Sequence, residues 1–423
     1  MTSALLLGLA ASYRAGRPTA ITSVCSAHPE VIGAALALGR AQGRAVLIEA
    51  TCNQVNQDGG YTGMQPGDFR GFVETIAARE RFDLTGLILG GDHLGPNPWQ
   101  HLPAAAAMVR ASTLVAAYVS AGFSKIHLDA SMPCADDPVP LPDATIAARA
   151  ARLAAVAERH AGAQPPVYVI GTEVPIPGGA METVADLAVT SAAAARATVA
   201  LHRDAFARER IESAFDRIVG LVVQPGVEFG NANVAAFDPA AARALIAVSR
   251  DLPMCFEAHS TDYQTPDALA ALVQSGFGIL KVGPGLTFAL REALYGLDHI
   301  AGCLFAPRPV SLRDTMERLM CARPEHWAKY YPGNPAQQQL QRHFSYSDRI
   351  RYYWADQMAG QAVAQLLGLF GDRPIPEPLI SQYLGAAYAG VMAGQGTPTA
   401  PALLRASVTR VLSVYSAACH SSA

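Results

Sequence analysis

Short apolar runs alternate with long Ala- and Leu-rich stretches along this chain. Eight of the runs, at residues 21–27, 45–51, 87–94, 125–131, 167–174, 218–225, 254–260 and 278–285, are apolar at successive positions, as strands covered by helices on both faces require. Between the first two, 29–42 opens on Pro29 and stops before Gly43, where a helix should start and end. Residues 104–121, 143–163 and 183–213 are helical by composition. Alternating strands and helices predict a parallel sheet, and eight such units predict an α/β fold of the TIM (β/α)8 barrel type over residues 1–296. No GxGxxG follows the first run, which argues against an open dinucleotide-binding sheet. Residues 286–294 are expected to form the eighth barrel helix. The remaining 297–423 form a mostly helical C-terminal extension that can cover the mouth or build an oligomer interface. The apolar stretch 4–11 has no basic flank, so it is expected as a packing helix rather than a secretory signal.

Composition narrows the range of functions. Over 423 residues, 51% are hydrophobic and 16% charged, which suits a large core and excludes a disordered chain. The net charge of -3, without any Lys/Arg block, leaves no nucleic acid or anionic membrane as partner. No run of about 18 apolar residues appears, so a membrane span is not expected. Seven cysteines, Cys25, Cys52, Cys134, Cys255, Cys303, Cys321 and Cys419, form no CxxC pair. Their odd number suits a cytoplasmic protein, with Cys25, Cys52 and Cys255 as buried small hydrophobes on strands.

In a parallel barrel the carboxyl ends of the strands converge on one face, and there this chain is unusually polar. Glu49, Asn53 and Gln54 accompany the second run, Asp92 and His93 the third, His127 and Asp129 the fourth. Glu173, Gln224, Glu228, Glu257, His259 and Lys281 continue the series. Unpaired buried carboxylates are costly, so this face requires cations, water or a metal. His93 and His259 stand on opposite walls and, with a carboxylate between them, suit zinc, manganese or a similar divalent ion. Asp92 is suited to moving a proton. His127, alternating with Lys125 and Asp129, is expected in a structural hydrogen bond. Gly283 and Gly285, at a helix start, offer amides to an oxyanion. Arg349 and Arg351 could reach over the mouth to a phosphate, whereas Arg291 is expected on an exposed helix surface.

Eight stretches carry a specific resemblance: IEATCNQVNQDGGYTGM at 48–64, LGGDHLGPNPWQ at 89–100, KIHLDASMPCADD at 125–137, TEVPIPGG at 172–179, QPGVEFGNANV at 224–234, EAHSTDYQT at 257–265, KVGPGLTFALREAL at 281–294 and FSYSDRIRYYW at 344–354. The chain resembles the accessory, non-catalytic Z-type subunits of class II tagatose-1,6-bisphosphate aldolases. That resemblance implies a TIM barrel with a helical addition, a role in galactitol- or galactosamine-type sugar catabolism, and a catalytic class II aldolase subunit as partner. A fainter likeness to the catalytic class II aldolases implies Asp92 as proton-transfer acid and His93 as metal ligand. It also implies ligands at His259 and, in place of a further histidine, Glu228.

Three functions follow. The first is an accessory subunit of the aldolase. The second is a metal-dependent 4-epimerase interconverting fructose 6-phosphate and tagatose 6-phosphate, with Asp92, Glu173 or both moving the C4 hydroxyl proton. The third is a sugar-phosphate binding protein. Some members of the family carry the name tagatose-6-phosphate kinase, but no GxxxxGK[ST] is present.

Overall fold

The computed structural model describes residues 2–172, 187–305, 311–394 and 396–420. All eight expected strands form: β1 (Ile21–Cys25), β2 (Val46–Thr51), β3 (Leu87–Leu94), β4 (Lys125–Leu128), β5 (Val167–Ile170), β6 (Ile218–Val222), β9 (Cys255–Ala258) and β10 (Phe277–Val282), with a small antiparallel ribbon, β7 (Glu228–Phe229) and β8 (Val234–Ala235), inserted after the sixth barrel strand. They close a parallel barrel in the order β1-β10-β9-β6-β5-β4-β3-β2. Six of the eight strands stop short of the carboxyl ends of their apolar runs, where the last residues turn out of the ladder to form the mouth, while β2 and β3 run to the ends of theirs.

Local chemistry fixes the helices. Pro29–Gln42 starts on Pro at its first position, with His28 Nδ1 accepting the Glu30 N–H, and ends at Gly43 in the left-handed region at φ 62°. Ala104–Ser120, Asp143–His160 and Ala192–Arg208 fall within the expected segments. Pro66–Arg79 and Pro266–Gln274 complete repeats that composition had not marked.

The eighth helix departs from expectation. Residues 286–294 belong to Pro284–Leu304, a 21-residue helix with apolar side chains around most of its circumference. The position between the first and seventh barrel helices, 29–42 and 266–274, is taken by the last helix, Ala400–Cys419, which packs on both and on β1. Helix 284–304 is thereby covered on a second side by 400–419 and by the extension, which accounts for its all-round burial. It also runs unbroken across the division at residue 296.

At the opposite end, helix Thr2–Arg14 packs across the barrel floor. Leu6, Leu9 and Ala10 form one cluster there with Ile21, Leu47, Ile88, Val167, Val219 and Ile279. No described helix is long and apolar enough to cross a membrane.

Register brings the central charges together. Gly90 pairs with Glu49 on one side and Lys125 on the other. Without a side chain at Gly90, the Glu49 carboxylate and the Lys125 ammonium meet at 2.5 Å. A Cβ at Gly90 would stand 2.7 Å from Glu49 Cγ, inside contact distance. Gly90→Ala is expected to cost about 2–3 kcal/mol of unfolding free energy, measurable by urea titration.

Candidate active site

The middle of the barrel is a layer of fully buried ions. Lys125 Nζ lies 2.5 Å from Glu49 and 2.9 Å from Glu257. Lys281 contacts Asp92 and stands 3.7 Å from Glu49 and 3.8 Å from Glu257. Burial disfavours both ammonium groups, but the surrounding carboxylates outweigh it and hold both lysines above their ordinary range. Burial likewise opposes ionisation of Glu257 and Asp92. Lys125 with His259 in the first case, and His93 with Lys281 in the second, hold these carboxyls below the usual carboxylate range.

Above this layer three imidazoles converge. The ring of His93 is 4.9 Å from that of His127 and 5.0 Å from that of His259, and the latter two are 5.2 Å apart. One donor atom from each, with one from Asp92, falls within 4.8 Å of the others. His93 reaches this position by adopting a left-handed backbone, φ 49°, which is uncommon for a residue with a side chain. Its Nδ1 lies 2.7 Å from Asp129, and an Nδ1–H donated to that carboxylate orients the ring so that Nε2 is the nitrogen available to an ion. His259 Nε2 lies 2.9 Å from Glu257. Burial lowers the pKa of both His127 and His259, keeping them neutral and able to ligate.

These residues fit a divalent cation on three counts. Three imidazoles with a carboxylate are the donor set of zinc and similar ions. His127 Nδ1 faces both the His93 N–H, at 3.2 Å, and Asp92 Oδ1, at 2.9 Å, while its Nε2 is buried without a partner among the described residues. Finally, three carboxylates (Glu49, Asp92 and Glu257) surround two ammonium groups, and Asp129 beside His93 brings the formal balance to two negative charges when the imidazoles are neutral.

The cluster lies at the base of an open cleft. Asn53, Gln54 and Tyr61 form one wall, Ser260, Asp262 and Gly283 another, and Arg351 with Tyr352 the roof. The roof belongs to the extension. Asp348, buried and bound by Thr287 at 2.6 Å and Arg291 at 3.2 Å, anchors the turn that carries Arg351. Arg351 donates to the Tyr352 hydroxyl at 3.0 Å, and the Tyr352 ring meets Tyr61 edge-on at 4.7 Å.

The structure thus gathers Asp92, His93, His259, Asn53, Gln54, Gly283 and Arg351 around one cleft, with Glu49 below it and Asp129 behind His93. Several expectations change. His127, expected as structural, joins the imidazole cluster; its alternation with Lys125 and Asp129 was the signal, since all three face the barrel axis. Glu228 is not brought into the cluster. It lies in the β7–β8 ribbon, bonded to the Phe229 N–H at 3.0 Å, and burial pushes its carboxyl up to about 7. The amides of Gly283 and Gly285 are already engaged by Asp262 Oδ1, at 2.9 and 2.7 Å. Arg349 points away from the cleft, over the Tyr330 ring and onto His326 O at 3.0 Å. Arg291, expected on the surface, is buried against Asp348 and Phe288. Cys25 is half-buried and lines the cleft, its Sγ 3.9 Å from Asp92. Glu173 lies outside the described residues.

Residues 6–420 match the family described as D-tagatose-1,6-bisphosphate aldolase subunit GatZ/KbaZ-like. The chain belongs to that family. A relative named D-tagatose 6-phosphate 4-epimerase, from Agrobacterium fabrum, is 54% identical over 423 residues, with 98% of each chain covered. A crystal structure described as a probable tagatose 6 phosphate kinase from Sinorhizobium meliloti 1021 superposes with a TM-score of 0.89 at 57% identity, covering 95% of this chain and 100% of that one. For this GatZ/KbaZ-like chain, the resemblance found in the eight motifs therefore extends over the barrel and the extension alike.

Two outcomes follow from the ion layer. Lys125→Met removes the nearer of the two cations that Glu49 and Glu257 share, leaving only Lys281 at 3.7 and 3.8 Å, and should cost about 3–5 kcal/mol in a urea unfolding titration. Asp129 and Glu257 have folded pKa values below their ordinary ones, so their stabilising effect is complete above about pH 5. It should be lost as pH falls through about 4 and below, seen as a falling urea midpoint.

Proposed function

We propose that this chain is a divalent-metal-dependent 4-epimerase of ketohexose 6-phosphates, interconverting fructose 6-phosphate and tagatose 6-phosphate in the cytoplasm. The observation carrying this reading is the convergence of His93, His127 and His259 with Asp92 beneath an open cleft. It is more chemistry than a scaffold needs, and the 4-epimerase name of the 54% identical relative supports it.

His93, His127, His259 and Asp92 are the residues that would hold the ion. A divalent cation, when bound, acts as a Lewis acid toward the C2 ketone. Asp92 takes the C4 hydroxyl proton, and the C3–C4 bond opens, its electron pair passing into a C2–C3 enediolate while C4 becomes an aldehyde. Re-addition through the other aldehyde face gives the epimer. Lys281, in contact with Asp92, favours the ionised form of that carboxylate before the transfer. Asn53 and Gln54 present amides to sugar hydroxyls, and Arg351 offers its guanidinium to the phosphate.

A second reading, an accessory subunit that stabilises a catalytic class II aldolase, is favoured by the family's description as an aldolase subunit. The two separate in one experiment. Protein loaded with zinc or manganese and given fructose 6-phosphate should form tagatose 6-phosphate, and His259→Ala should lower the rate about a hundred-fold or more, a loss of roughly 2.7 kcal/mol in transition-state stabilisation. No product with any divalent ion, together with a longer thermal lifetime of the catalytic aldolase subunit on mixing, would establish the second reading instead.

A further inference from the structure

Epimerisation at C4 by bond cleavage makes a demand that one carboxylate does not meet. The hydroxyl gives up its proton on one side of the sugar. After the aldehyde has turned its other face to C3, its oxygen points to the opposite side, and a proton has to be delivered there. Building on the epimerase reading, we propose that Asp262 is the second proton-transfer group, acting across the cleft from Asp92.

Four observations carry this. Among the described residues lining the cleft, Asp92 and Asp262 supply the carboxyl side chains. They stand on opposite walls: Asp92 lies on β3 and Asp262 just beyond β9, and these strands are four places apart in a ring of eight. Asp262 is also held in position. The N–H groups of Gly283 and Gly285, at the start of helix 284–304, both donate to Oδ1, which leaves Oδ2 as the oxygen able to exchange a proton. The fourth is strain. Ser260 at φ 52° and Tyr263 at φ 65° are left-handed residues with side chains on either side of Asp262. Surrounding bonds hold that conformation: Thr261 Oγ1 donates to Lys281 O at 2.5 Å, Tyr415 donates to Thr261 O at 2.6 Å, and Tyr263 donates to Tyr346 O at 2.6 Å. Consistent with a proton carrier, burial pushes the Asp262 carboxyl up to about 6.

The protons balance. From one epimer Asp92 accepts the C4 hydroxyl proton, C3–C4 breaks into the enediolate and glyceraldehyde 3-phosphate, and the aldehyde turns. C3 then attacks C4, C2 becomes a ketone again, and protonated Asp262 gives its proton to the new C4 oxygen. Asp92 ends protonated and Asp262 ionised, and water in the cleft exchanges both back. The opposite epimer reverses the two roles.

The test separates the two half-reactions. Asp262→Asn keeps an oxygen for the two amides, and Asp262→Ser provides a second, smaller acceptor should the first not fold, with melting temperature as the check. Single-turnover release of glyceraldehyde 3-phosphate, trapped as its hydrazone, is followed from each epimer separately. Wild-type protein should cleave both. The Asp262 variants should cleave one epimer within about three-fold of wild type and the other about a hundred-fold or more slowly, with net epimerisation falling alongside the slower one. Equal slowing of both epimers, or of neither, in the Asp262 variants would overturn the assignment while leaving the epimerase reading intact. Wild-type protein that neither cleaves nor epimerises would sink both.

Discussion

Two lysines held among carboxylates at the barrel axis are the constraint on which the rest depends. Lys125 and Lys281 lie between Glu49, Glu257 and Asp92, where a closed sheet excludes water and an unpaired ion is prohibitively costly. An ordinary barrel fills this level with branched aliphatic side chains. Here the level is ionic, and its geometry follows from the missing side chain at Gly90, which lets Glu49 and Lys125 meet across β3. Burial, with the Lys281 ammonium, also depresses the imidazoles of His127 and His259, so these two are presented as neutral donors rather than cations.

Backbone strain does the remaining positioning. Asp92 and His93 are adjacent in sequence, and an ordinary strand would send them to opposite faces. The left-handed turn at His93 brings both toward the cleft, as the Ser260 and Tyr263 turns do for the segment after His259. Such conformations persist only where their surroundings fix them, and here the fixing groups are Asp129, His127 and the first turn of helix 284–304. The cleft roof is supplied from more than 250 positions further along the chain than Asp92, by the turn carrying Arg351 and Tyr352.

Much of this was legible in the sequence. Eight apolar runs marked eight strands because burial on both faces leaves an unbroken apolar signature, and polar residues at their ends marked the mouth. His93 and His259 were found because each closes such a run. What escaped notice depended on contacts between distant segments. His127 looked structural because alternation gives a face but not what stands opposite it. Glu228 looked like a ligand because a two-strand ribbon leaves no periodic trace, and such a ribbon carries it away from the axis. Asp262 lies in a turn whose left-handed residues are a serine and a tyrosine, neither of which announces that conformation as glycine would.

The last helix has a consequence for how the molecule comes into being. Because 400–419 fills the slot between the first and seventh barrel helices, the staves made early in synthesis cannot seal until nearly the whole chain has left the ribosome. Until then an apolar seam beside β1 stays open to water and to neighbouring chains. The extension is therefore the keystone of the barrel it was expected merely to adorn, and truncation from the carboxyl end removes a wall of the barrel before it removes an ornament.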